Sequence, residues 1–289
     1  MTVPTTHRVD GRLQLVFTRP AATGDTLLQV KEQRPPLRVV RAFPLPDHAV
    51  LTHLHNVSGG VLGGDHLTLC VEVKAGARAQ ITSTGATRVY RHRPDYPSAT
   101  QENHFQVGPG GLLEYLPDPL IPYADSRYRQ VTQIELADDA GLFYWEVLAP
   151  GREAHDELFA YDELQIQLNL HSAGRPLALE RIQLQPTRTT PGSLVRFGPY
   201  RYSATFYICR VGLPATVWQT LEKELQQIAE TLTTPDTVIW GVSTLAAHGL
   251  SVRALSMNSR ALLTGLPRFW QAAKWALYGQ QAVMPRKVY

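Results

Sequence analysis

Two groups of side chains in this 289-residue chain could bind a metal or move a proton. The first is a set of imidazoles. His53 and His55 lie two apart in the run Val50 to His55, whose alternation marks a strand, so both rings share one face. His66 follows the stretch Gly59-Gly60-Val61-Leu62-Gly63-Gly64-Asp65 and is a third candidate. Imidazole suits nickel, copper and zinc, but a tight site needs three or four ligands, and a pair supplies only a transient contact. The second group is acidic. Glu146, Glu153, Asp156 and Glu157 surround Arg152 and His155. Glu146 interrupts the very apolar run Leu142 to Leu148, where a carboxylate costs free energy unless it is paired. Arg152 is the nearest cation in sequence and the expected partner. One reading makes Glu146 a polar spot inside the protein, lining a channel or fixing a loop. Another pairs Glu146 with Glu157 as the two carboxylates of a glycoside hydrolase, at a separation the sequence does not give. Glu153 and Asp156 read more simply as a solvated turn.

Other chemistries are excluded on pattern. There is no G-x-S-x-G elbow, Walker A loop, H-E-x-x-H or EF-hand loop. The glycine-rich stretch leads into the alternating strand Leu67 to Val73 rather than a helix. It therefore reads as a tight turn braced by Asp65, not a phosphate cradle. Cys70 and Cys209 are too far apart for a C-x-x-C site. A net charge of +3 with scattered basic residues argues against nucleic acid as a partner. No apolar run is long enough to cross a bilayer, and Met1 to Arg12 lack a signal-peptide core, so a cytoplasmic location with reduced thiols is expected.

The elements that must position these residues are mostly strands. Period-two runs recur at Arg12 to Thr18, Leu37 to Phe43, Arg78 to Ser83, Tyr128 to Leu136, Leu164 to Leu170, Leu177 to Leu184 and Arg201 to Val211, separated by Gly- and Pro-rich turns. No fixed repeat length is evident, which argues against an ideal solenoid. Two helices are expected late in the chain, at about 216–232 and 258–278. Pro214 and Thr216 mark the start of the first; Asn258, a kink at Pro267 and a stop at Gly279 mark the second. Phe269 and Trp270 read as packing on the sheet, whereas Trp275 fits either packing or a partner interface. No linker divides the chain, so 1–289 is expected to form a single mainly β domain.

Taken in order, several motifs resemble the UreD (UreH) family of urease accessory proteins. They are His55-Asn56-Val57-Ser58-Gly59-Gly60-Val61-Leu62-Gly63-Gly64-Asp65, Thr82-Ser83-Thr84-Gly85-Ala86-Thr87-Arg88-Val89-Tyr90-Arg91, and Leu116-Pro117-Asp118-Pro119-Leu120-Ile121-Pro122-Tyr123-Ala124-Asp125-Ser126-Arg127-Tyr128. Glu146, Gly151-Arg152-Glu153-Ala154, Glu157 and the segment Trp270 to Arg286 complete the pattern. The resemblance implies a helical stack of β-strands with two α-helices near the C-terminus. It implies a non-catalytic scaffold that joins UreF, UreG and apo-urease in a hetero-oligomeric complex. It also implies transient nickel as cargo with no tightly bound cofactor, and an internal passage for the metal. On that view Asp65, Glu146, Glu157 and His55 are the candidate metal contacts and Arg152 a structural partner of the passage. Asp156 and Asp125 depart from the family pattern, which has glycine and a small residue there; both add acid near the expected passage, where they either raise the local negative field for a divalent cation or stand exposed and neutral in effect.

Overall fold

The computed structural model describes residues 9–188 and 197–285; Arg286 of the last motif lies outside them. The described residues open with β1 (Asp10–Thr18), β2 (Leu27–Arg34), β3 (Leu37–Arg38), β4 (Ala42–Pro44), β5 (Val50–Asn56) and β6 (His66–Val73). Next come β7 (Arg78–Ser83), β8 (Thr87–Val89), β9 (Ala99–Val107), β10 (Leu112–Tyr115), β11 (Leu120–Pro122) and β12 (Arg127–Leu136). After β13 (Gly141–Leu148), a short 3₁₀ turn covers Glu153–His155. The remainder is β14 (Glu163–Ser172), β15 (Arg175–Leu184), β16 (Tyr202–Arg210), α1 (Ala215–Leu232), β17 (Val238–Thr244), β18 (Gly249–Ser256) and α2 (Ser259–Tyr278).

These strands form two facing sheets. The first runs β15-β14-β12-β9-β6-β1-β2, and the second has the main path β17-β18-β16-β13-β10-β7-β5-β3. From β5 to β14 the chain alternates between the sheets, and neighbours within each sheet are parallel: β6 with β9, β9 with β12 and β12 with β14 on one side, β7 with β10 and β10 with β13 on the other. The mainly β reading and its two late helices therefore hold, and the parallel rungs wind as a helical stack. His66 lies opposite Thr100, Ala99 opposite Tyr128, and Arg127 opposite Glu163. The step along the chain changes at every turn, which hides the repeat from a fixed-period search. Antiparallel strands close the ends: β2 and β15 on the first sheet, and β16, β18 and β17 on the second.

Two cores follow from this layering. The first fills the space between the sheets and includes Leu13, Leu69, Phe105, Leu142, Tyr144 and Leu168. The second lies between the outer face of the second sheet and the helices, with Phe143, Trp145, Phe206, Trp218, Leu266 and Trp270. Strand β13 contributes to both, so almost every residue of Gly141–Leu148 is buried, and a sheet covered on both faces reads as a continuous apolar run. Helix α2 is capped by the Asn258 side chain on Ala261 N–H, runs through Pro267, and ends at Gly279 in the left-handed conformation. The expected strand Leu37 to Phe43 is a correction: it divides into β3 and β4.

Candidate functional site

Strand register carries polar residues into the first core. On β9 and β12, Gln101 lies beside Gln130 and Asn103 beside Thr132. Facing them from β13 are Tyr144 and Glu146. Asn103 Nδ2 donates to Thr132 Oγ1 at 3.1 Å, Gln101 Nε2 donates to Asn103 Oδ1 at 3.0 Å, and Tyr128 Oη donates to Gln101 Oε1 at 3.1 Å. Gln130 Nε2 donates to Glu146 Oε1. A closed set of partners lets such groups stand in an apolar interior. Burial still dominates for Glu146 and pushes its pKa up to about 7, against the stabilising hydrogen bonds from Tyr144 and Gln130; the nearby Glu180 carboxylate adds to the rise. Burial also raises the phenols of Tyr115, Tyr128 and Tyr144, so they stay neutral donors. Tyr115 and Tyr144 stack with centroids 5.5 Å apart.

Among the described residues, three cavities adjoin this network. An inner one of about 60 Å³ is lined by Gln101, Tyr115, Gln130, Glu146, Glu180 and Thr205, among others. On one side it shares Thr87, Gln101, Tyr115 and Pro117 with a cavity of about 250 Å³ that reaches His55, Gly59, Gly60 and Arg88. On the other side it shares Glu180, Ile182, Ser203 and Thr205 with a cleft of about 660 Å³ bordered by Arg181, Trp240 and Arg253. The inner cavity, which Glu146 lines, thus shares wall residues with each of the other two.

The profile of the family described as UreD urease accessory protein matches residues 9–289. The chain belongs to the UreD family. A relative named urease accessory protein UreD from Herpetosiphon aurantiacus is 48% identical over 98% of both chains. One of the same name from Alkalilimnicola ehrlichii is 31% identical over 96% of this chain and 90% of its own. Another, from Deinococcus radiodurans, is 39% identical over 61% of this chain and 62% of its own.

Within this UreD chain the candidate residues separate into two groups. His55 and Glu146 line cavities. Asp65 is buried, and its carboxylate accepts Leu62 N–H at 2.9 Å, bracing the glycine turn; burial raises its pKa and that hydrogen bond partly offsets the rise. Glu157 accepts both Arg152 Nε at 2.8 Å and Arg152 Nη2, and also Ala124 N–H at 3.1 Å. These bonds hold Glu157 below the usual carboxylate range. The expected Glu146–Arg152 pair is therefore a correction. Arg152 is committed to Glu157 and stacks 4.3 Å from the Tyr123 ring centroid, while Glu146 is held by an amide and a phenol. Glu146 lines the inner cavity and Glu157 does not, so the two do not face one void as a glycosidase pair must. His66 bonds Thr100 Oγ1 at 2.8 Å. Among the described residues no three of His, Cys, Asp and Glu gather as a metal site. Cys70 and Cys209 are free thiols.

The two departures from the family pattern have a backbone explanation. Asp156 sits at φ 57°, ψ 22° and Asp125 at φ 58°, the left-handed region that glycine enters freely and Asp tolerates better than most residues. Neither lines the inner cavity, and Asp125 pairs with Arg91 at 3.1 Å on the surface. Sequence reasoning missed Gln101, Gln130 and Glu180, whose runs look like ordinary polar strand faces. It also missed Glu114 on β10, which lies under α2. Lys274 Nζ donates to one of its oxygens and Trp270 Nε1 to the other, each at 2.6 Å, all three side chains buried.

Proposed function

We propose that this chain is a non-catalytic scaffold in urease maturation, binding apo-urease together with UreF and UreG, and that nickel crosses it through the gap between the sheets. Nickel is cargo here, with no resident metal. The observation that carries the passage is the succession of three cavities with shared walls, from His55 past Glu146 to the cleft at Arg253. Family membership and the names of the relatives support the urease context. The walls supply amide, phenol and carboxylate oxygens and one imidazole. Such groups, arranged without a closed four-ligand cage, exchange a divalent ion rather than retain it. Glu146 is the centre of the proposed route; Asp65, Glu157 and Arg152 shape its surrounding loops. Residues 1–289 act as one unit.

Two variants test this reading. Glu146→Gln removes the central charge while keeping an acceptor for Gln130, and Ile182→Trp fills the wall between the inner cavity and the cleft. Both are expected to leave co-purification with urease and UreF unchanged and to lower the nickel content and activity of the matured enzyme severalfold. Normal nickel loading with both variants in the assembled complex would exclude the passage. Trp275, 59% exposed beside Ile228 and Met284, belongs to the partner-facing surface on this reading. Trp275→Ala is expected to weaken co-purification without altering the fold.

A further inference from the structure

The row of residues that leads out of the core ends in an ion pair that spans the two sheets. On the second sheet Glu146 lies beside Thr205, and Thr205 beside Arg253, so the three occupy one cross-strand row from the interior to the rim. Opposite the row stands Glu180 of β15, the closing strand of the first sheet. Both of its oxygens are engaged: Arg253 Nη1 donates to Oε1 at 2.8 Å, and Tyr207 Oη donates to Oε2. The Glu180 side chain is 12% exposed and that of Arg253 57%, so the carboxylate is inside and the cation outside. Glu180 lines both the inner cavity and the cleft.

We propose that Arg253 is a latch on the cleft end of the passage, neutralising Glu180 and holding it across the boundary between the inner cavity and the cleft. This rests on the passage reading. A cation leaving the neighbourhood of Glu146 meets a carboxylate whose charge is already compensated, with a guanidinium directly behind it. Like charges repel, and a spent carboxylate offers no free oxygen. With Arg253 withdrawn, Glu180 is a largely buried carboxylate lacking its cation, a state that a divalent ion relieves. Two carboxylates, Glu146 and Glu180, would then border the same 60 Å³ space. The latch makes the interior a poor site for nickel in the free chain and a better one whenever Arg253 is drawn away.

The test is equilibrium dialysis of the full-length chain against nickel. Arg253→Gln is expected to tighten nickel binding by about threefold or more, and Arg253→Gln combined with Glu180→Gln to return it to the wild-type level. Tyr207→Phe, which removes the other restraint on Glu180, is a second route to a smaller gain should Arg253→Gln not fold. Unchanged or weaker binding in Arg253→Gln, with a native melting curve, overturns the latch. A gain that survives Glu180→Gln does so too, since the ion would then be held elsewhere. If Glu146→Gln lowers urease activation while Arg253→Gln leaves nickel affinity flat, the passage stands and the latch falls. If Glu146→Gln activates normally, the passage falls and takes the latch with it.

Discussion

Glu146 shows how one side chain can set a pH dependence for the whole fold. Its carboxyl is pushed up to about 7 by burial, from an ordinary value of 4.5. The folded state therefore holds a proton that the unfolded chain releases. Stability from this group is full below about pH 4.5, declines as pH rises towards about 7, and stays reduced above that. Glu146→Gln should flatten the decline and raise stability near pH 8 by about 1–3 kcal/mol, read from denaturant melts at several pH values. Glu157 has the opposite sign. Arg152 and Ala124 N–H hold its pKa down, so its contribution is present above the ordinary glutamate range and is lost as pH falls through its depressed value. The loop around it also depends on Gly151, at φ 141°, where an added Cβ would collide with the Glu157 carbonyl. Gly151→Ala is expected to cost about 2–4 kcal/mol, whereas Asp156→Gly, at a position glycine enters freely, should change stability by less than about 1 kcal/mol. Thermal melts of the two variants side by side check this.

Helix α2 is fastened to β10 by a buried charge. Glu114 and Lys274 are almost fully enclosed, and Trp270 takes the remaining carboxylate oxygen. Breaking such a pair from one side leaves an uncompensated charge, so Lys274→Met is expected to destabilise by about 3–5 kcal/mol. Adding Glu114→Gln should recover most of the loss, because the residual amide tolerates an apolar neighbour far better than a carboxylate does. A double-mutant cycle in denaturant measures the coupling. The same helix lies close to β17: a Cβ on Gly265 would meet the Trp240 ring, so Gly265→Ala should separate helix from sheet and cost about 1–3 kcal/mol. The apolar periodicity of the helix was visible in its sequence, with Leu262, Leu266, Phe269, Trp270 and Ala273 on the buried side. The lysine on that side was not, since it reads as a break in the stripe until its partner on a distant strand is known.

At the scale of the molecule, a stack of parallel rungs gives its central strands a neighbour on each side, places β13 between two cores, and leaves outer strands such as β2 and β17 with one neighbour. Hydrogen exchange should follow that layout, with amides of β9, β12 and β13 slowest and those of β2 and β17 fastest. Peptide-resolved exchange measures it. The gap between the sheets is a consequence of stacking too. Strands β9 and β12 place Gln101 beside Gln130, and β13 sets Glu146 against them. The closing strands join the two sheets again, where Glu180 reaches Tyr207 and Arg253.

The strand-rich class, both late helices with their caps, and the motifs that mark the family were legible in the order of residues. Each is a local property, written in side-chain alternation, in capping residues and in short runs of neighbours. That order also pointed to Glu146, because a carboxylate in so apolar a run demands an explanation. Which side chain answers that demand depends on the packed fold. Arg152, close in the chain, turns to Glu157, whereas Gln130, on a strand of the opposite sheet, turns to Glu146. Glu114 waits in the same way for Lys274, far along the chain. Partners in a stacked sheet are chosen by register across rungs of unequal length, and register is a property of the packed chain rather than of any segment within it.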